Sequence, residues 1–197
     1  MQRQIYPDFR TFRDWHRQQD IVMSGSLYLP TLSSFQWDPS SLLAHRMKTL
    51  IAQNSISCTT ASEDHSNSGV IDYLASWFQE AGFSCEIQPV APGKANLIAT
   101  ALGHSNGTKG LILSGHTDTV PCDPELWASN PFELTLRNDR LYGLGTADMK
   151  SFFALILEAL REFDVSQFKA PLIIIATCDE ETSMAGARAL TQLAKSP

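Results

Sequence analysis

Apolar residues recur at spacings of three and four from Pro39 onward, through Leu42, Leu43, Met47, Leu50 and Ile51, with Arg46 on the same side. That period is one face of a helix. A polar loop through Ser62-Glu63-Asp64 follows, and the spacing then returns in Val70, Ile71, Leu74, Trp77 and Phe78. Ser66 or Asn67 can cap this second helix, and Gly82 ends it. Over residues 84–90 the pattern shortens to alternation, which predicts a strand, and a second strand is expected over 96–102. Residues 103–110 form a Gly/Asn-rich turn region. After it, Leu111-Ile112-Leu113 is apolar throughout, as expected of a strand buried on both faces. The small pair Ser114-Gly115 is expected to let the backbone turn there.

Residues 133–137 predict a further strand, Asn138-Asp139-Arg140 a turn and Leu141-Tyr142 a short return. A helix with apolar side chains over most of its surface is predicted for 149–163, a second fully apolar strand for 172–176 and a last helix for 185–194. Strands alternating with helices, some apolar throughout, predict an α/β fold, a three-layer sandwich with a largely parallel central sheet. In such sheets ligands bind beyond the carboxyl ends of the strands.

That rule directs attention to three loops. His116 and Asp118 follow one apolar strand, and on extended backbone both would point to the same side. A carboxylate beside an imidazole fixes its tautomer and raises its basicity as a ligand. Asp179-Glu180-Glu181 follows the other apolar strand, and the Gly-rich turn 142–147 delivers Asp148 to the start of a helix. Taken singly, Asp148 is as well read as a helix cap and the acidic triplet as a solvated turn. Together they describe carboxylates gathered on one rim, which repel unless a cation offsets them. A histidine with several carboxylates suits zinc, cobalt or manganese. Two ions sharing a carboxylate would lie about 3.5–4 Å apart and could polarise a carbonyl while activating a water.

Charge and composition exclude other classes. The 197 residues carry 15 Lys+Arg against 21 Asp+Glu, net −6, with no basic stripe, which argues against a nucleic-acid partner. No apolar run is long enough to cross a bilayer, so no membrane association is expected. Cys58, Cys85, Cys122 and Cys178 show no CxxC spacing and are expected as reduced thiols in a cytoplasmic protein. Residues 1–22 mix Arg3, Arg10, Arg13 and Arg17 with acids and aromatics. They belong to an expected loosely attached extension over 1–38, with Met23 as a candidate natural start.

Three segments, SGHTDTVP, LYGLGTADMK and DEETSMAGAR, resemble the zinc aminopeptidase-like (M20-type) metallohydrolases. The resemblance runs from about Ser40 to the C-terminus and rests on three motifs in order. It implies two divalent metal ions, zinc with cobalt or manganese as alternatives. It further implies that His116 binds one ion, Asp148 bridges both and Glu181 binds the second. Glu180 would be the general acid/base, Asp118 would orient His116, and the Asp148-Met149 peptide would be cis. The implied reaction is hydrolysis of an amide in a small N-acyl amino acid. The wording is nearest to bacterial members that deacetylate N2-acetyl-L-ornithine; succinyl-diaminopimelate and dipeptide substrates are the alternatives. Family members are homodimers through an inserted lid domain. Here that domain, a further acidic ligand and a C-terminal histidine are missing, and Ser151 replaces a glycine. Residues 39–197 are therefore expected to be the N-terminal part of a catalytic domain, with an unfinished sheet, weak metal binding and negligible activity alone. Two rival readings are a non-catalytic relative and a serine hydrolase using Ser105 in Gly103-His104-Ser105-Asn106-Gly107. The second fails because a nucleophile elbow is followed by a helix, whereas the strand at Leu111 follows here.

Overall fold

The computed structural model describes residues 37–104 and 109–193. Ser105 and almost all of the expected 1–38 extension lie outside them. Helix α1, Leu42–Ala52, starts where the Ser41 side chain accepts the Ala44 amide at 3.1 Å, and it buries Leu43, Met47, Leu50 and Ile51. Helix α2, Ser68–Glu80, buries Val70, Ile71, Leu74 and Phe78. Of its two candidate caps, Ser66 takes the Ser68 amide at 3.1 Å, and the Asn67 side chain is left for other work. The chain leaves α2 through Gly82 at φ +90°, where a Cβ would be strained.

Strands β1, Ser84–Ala91, and β2, Lys94–Ala101, form a hairpin across Pro92-Gly93. Strand β3 is Leu111–His116; β4, Thr135–Arg137, and β5, Arg140–Tyr142, make a separate small hairpin. Helix α3, Ser151–Ala159, strand β6, Leu172–Thr177, and helix α4, Ala185–Leu193, complete the elements. The main sheet has the order β1-β2-β6-β3.

The sheet is mixed, which corrects the expectation of a largely parallel one. β1/β2 and β2/β6 are antiparallel, and β3/β6 is parallel. A two-residue connection can join antiparallel neighbours only, and the alternating exposure of β1 is that of a strand with one solvated face. The parallel pair is the one joined by a crossover containing α3.

Helix α2 packs on one face, over strands whose Leu97, Ala99, Ile174 and Ala176 are fully buried, α3 reaches the same face at Gly115, and α1 packs against α3. Cys85, opposite Ala99, reaches the Ala75 carbonyl of α2 at 3.6 Å. The chain does not turn at Ser114-Gly115; β3 continues to His116. Gly115 serves close packing instead, since a Cβ there would lie 2.9 Å from Met149 Cε and 3.0 Å from Phe152 Cδ1. Helix α4 meets the opposite face, where Gly186 sits against Asn96 and the backbone of Cys178. β3 ends the sheet, and Leu111 and Ile112 are each 57% exposed. It is therefore not buried on both faces as its apolar run suggested; among the described residues no strand covers its outer edge. The four cysteines are free thiols, and no described helix is long and apolar enough to cross a membrane.

Gly186→Ala separates helix propensity from packing. Alanine alone would favour α4 by up to about 1 kcal/mol, but its Cβ would come within 2.7 Å of the Cys178 backbone nitrogen and oxygen. Urea unfolding should show a net loss of about 1–3 kcal/mol, as for an overpacked core; an increase in stability would contradict the close approach.

Candidate metal centre

The carboxyl ends of β3 and β6 are tied together before any charged group is placed. Thr117 donates its amide and its hydroxyl to the Thr177 carbonyl, both at 2.9 Å, and the Thr177 hydroxyl donates to Gly115 O at 3.2 Å. Asn67 supports this junction. Its Nδ2 donates to Thr117 Oγ1 at 2.7 Å and to Ala95 O at 2.8 Å, and its Oδ1 accepts from Ala95 N at 3.0 Å. On the outer side the segment 55–57 runs parallel to 117–119, with Ser55 Oγ donating to Thr117 O at 2.7 Å and Ser57 N to Thr119 O at 2.9 Å. The loop that carries His116 and Asp118 is thus hydrogen-bonded on both flanks.

His116 and Asp118 are 5% and 0% exposed. His116 Nδ1 lies 3.0 Å from the Asp118 carbonyl oxygen and 3.6 Å from its Oδ1, so the hydrogen bond goes to the backbone and the carboxylate acts at slightly longer range. The two carboxylate oxygens are spent on the next loop: Oδ1 accepts from Glu180 N at 3.1 Å and Oδ2 from Glu181 N at 3.0 Å. Burial opposes charge on Asp118, but His116 and these two amides outweigh it and hold the carboxyl below the ordinary carboxylate range.

On the other side of the ring, His116 Nε2 is 2.9 Å from Asp148 Oδ1 and 3.9 Å from Glu180 Oε2. Both ring nitrogens therefore face acceptors, an arrangement satisfied by a doubly protonated imidazolium. Burial alone would lower the pKa of His116; its contacts with Asp118 and Asp148 override that and raise it from 6.5 to about 9. Asp148 is not a helix cap. Helix α3 begins at Ser151, the Asp148 side chain is 73% exposed, and its partner is the imidazole. The Asp148-Met149 peptide is cis.

Ligand-capable atoms of His116, Glu180 and Glu181 lie within 4.8 Å of one another. Glu181 is shifted upward, first by burial and then by Asp148, Glu180 and Asp118, with His116 opposing. An imidazole beside several carboxylates, with Glu181 held above the ordinary carboxylate range, is a donor set that fits a divalent cation, which would take the place of the Nε2 proton. The motifs pointed to His116, Asp118, Asp148, Glu180 and Glu181; Asp148 meets this group through the ring of His116. Ser105 lies outside the described residues, and the element after it, β3, is a strand.

Sequence reasoning missed Asn67 and Lys150. Lys150 is fully buried, donates from Nζ to Gln53 O at 2.8 Å and joins the Asp148 turn to the end of α1. Burial lowers its pKa to about 8. It closes the LYGLGTADMK segment, but its role was hidden because its partner is 97 residues away.

The His116 shift has a sign that can be checked in protein stripped of metal by a chelator. The folded pKa is raised, so its stabilisation is complete below pH 6.5 and is lost as pH rises through about 9. The stability advantage over His116→Gln in urea should shrink across that window; a constant or growing advantage would contradict the contacts.

Residues 112–196 match the model of Peptidase family M20/M25/M40. The chain is 59% identical over 143 residues to a protein named acetylornithine deacetylase from Photorhabdus laumondii, covering 72% of this chain and 36% of that protein. It is 57% identical over 141 residues to one of the same name from Salmonella arizonae, covering 72% and 37%. The chain thus spans little more than a third of the length of these curated relatives. Among solved structures, human carnosine dipeptidase 1 superposes with a TM-score of 0.63 at 21% identity, over 77% of this chain and 34% of that one. An M20 family metallo-carboxypeptidase from Sulfolobus solfataricus gives 0.60 at 23% identity, over 72% and 31%. At these identities the two structures speak for the fold alone.

Proposed function

We propose that this chain, whose residues 112–196 match the model of Peptidase family M20/M25/M40, belongs to that family and is the metal-binding portion of an amide hydrolase. The substrate is N2-acetyl-L-ornithine and the products are L-ornithine and acetate. The observation that carries the reading is the approach of His116, Glu180 and Glu181 to within 4.8 Å of one another, over a buried Asp118. The identity to proteins named acetylornithine deacetylase supports the substrate.

In this reading His116 and Asp148 hold one divalent cation, and Asp148 and Glu181 hold a second. Zinc is the first choice, with cobalt or manganese as alternatives. When bound, such ions polarise a carbonyl and lower the pKa of water. The residues of the chain do the rest. Asp118 keeps His116 oriented by accepting the Nδ1 proton at its backbone carbonyl, and its carboxylate accepts the amides of Glu180 and Glu181. Glu180, with a side chain 42% exposed beside the imidazole, is free to take a proton from water as its oxygen adds to the acetyl carbon. The same carboxyl returns that proton to the nitrogen as the C–N bond breaks, and the amine departs neutral. Asp148 can swing from His116 toward a cation because its side chain is mostly solvated.

The same proposal covers the whole molecule. Residues 39–197 form part of a three-layer catalytic domain, and the protein works in the cytoplasm on a small soluble substrate. A cation held by this segment alone has two protein ligands, so binding is weak and turnover negligible.

Zinc titration of the chain with a competing chelator tests this. His116→Ala should weaken zinc about tenfold or more, the range seen when a ligand's support is lost, and acetylornithine should not be turned over. Unchanged affinity in the variant would defeat the metal reading. Stoichiometric, tightly held zinc with turnover would defeat the reading of this chain as an incomplete site.

A further inference from the structure

The turn that carries Glu180 and Glu181 is gripped from a second direction, by a residue that no motif includes. Lys94, the first residue of β2, is 6% exposed. Its Nζ lies 2.7 Å from Asp64 Oδ1 and 2.9 Å from Asp179 Oδ1. The first contact is a hydrogen bond and the second an ion pair. Burial disfavours the charged ammonium, but the two carboxylates more than offset that and raise its pKa. A buried lysine held this way is costly to leave unpaired.

Asp179 has reason to need the contact. Its φ is +53°, a left-handed conformation that a residue with a Cβ adopts at a cost. Its carbonyl accepts the Met184 amide at 2.6 Å, closing the turn into α4. Its side chain points to Lys94 while the next two amides point to Asp118. The turn is therefore fixed at two places: Asp118 holds its amides, and Lys94 holds the side chain that precedes them. The grip reaches further, because Asp64 also accepts the Cys58 amide at 3.1 Å and so anchors Lys94 to the loop after α1.

We propose that Lys94 is a positioning residue: its ion pair with Asp179 sets the direction of the Glu180-Glu181 turn and so presents both glutamates toward His116. The inference deepens the metal reading of those glutamates and rests on it for its functional meaning, but its geometry can be tested separately.

The test is amide hydrogen exchange by NMR on the chain and on Lys94→Met, Asp179→Asn and the double variant. Asparagine tolerates the left-handed conformation, so Asp179→Asn removes the charge without adding strain. Local release of the turn should speed exchange of the Glu180 and Glu181 amides about tenfold in each single variant, with the Ile174 amide in β6 unchanged. The double variant should be no worse than either single one, since both remove the same contact. Lys94→Arg, which keeps the charge, should restore part of the protection. Wild-type exchange at Glu180 and Glu181, a rise shared equally by Ile174, or additive effects in the double variant would each overturn the proposal. If Lys94→Met does not fold, Asp179→Asn against the wild type decides the same question. Zinc affinity should fall in parallel, by about tenfold. A wild-type chain that takes up no zinc would defeat the metal reading, while the exchange comparison would still decide the role of Lys94.

Discussion

A fully buried carboxylate, Asp118, organises the site. Ionised and out of water, it is tolerable only because three groups face it: the His116 imidazole and the amides of Glu180 and Glu181. Those groups come from two strand ends that are distant in sequence and adjacent in the sheet. Satisfying Asp118 therefore brings a histidine and two glutamates to one place. Removing that carboxylate would leave two amides and an imidazole without their partner, which is a larger change than the loss of one contact.

The sheet supplies what Asp118 requires. The parallel pairing of β3 with β6 sets His116 opposite Thr177, so the two loops leave the sheet at the same level. Asn67, from the head of α2, forgoes capping its own helix and spends its amide on Ala95 and Thr117. Lys150 and Lys94 are buried cations on either side, one tied to the end of α1 and one to Asp64 and Asp179. Helical ends, strand ends and buried charges thus share one task, holding acidic loops close against their mutual repulsion. The cost is concentrated at Glu181, whose carboxyl is pushed upward by burial and by its neighbours.

Much of this was legible in the sequence, for reasons that differ between elements. α1 and α2 show a 3.6-residue period because each buries one stripe, and their predicted faces are the buried ones except at Leu42, which is exposed at the start of α1, and Trp77, which is half-buried. The alternation in β1 carried the sign of an antiparallel strand, yet the apolar runs of β3 and β6 led to a largely parallel sheet. β3 shows why such runs mislead: Leu111 and Ile112 are apolar and still exposed, because the sheet ends at them. Gly115 had a visible role as a small residue, but the ring of Phe152 that demands it lies far along the chain. Asn67, Lys94 and Lys150 were illegible for the same reason. Their meaning lies in partners 28 to 97 residues away, and a polar residue of that kind has no period to betray it.

The central claim is that this gathering of charge is made for a divalent cation held by one imidazole and carboxylates. X-ray absorption spectroscopy of the zinc-loaded chain addresses it most directly. The account predicts a first shell of nitrogen and oxygen only, with the outer-shell scattering of a single imidazole. A sulfur shell from a cysteine, or a spectrum of hydrated zinc with no imidazole, would contradict it.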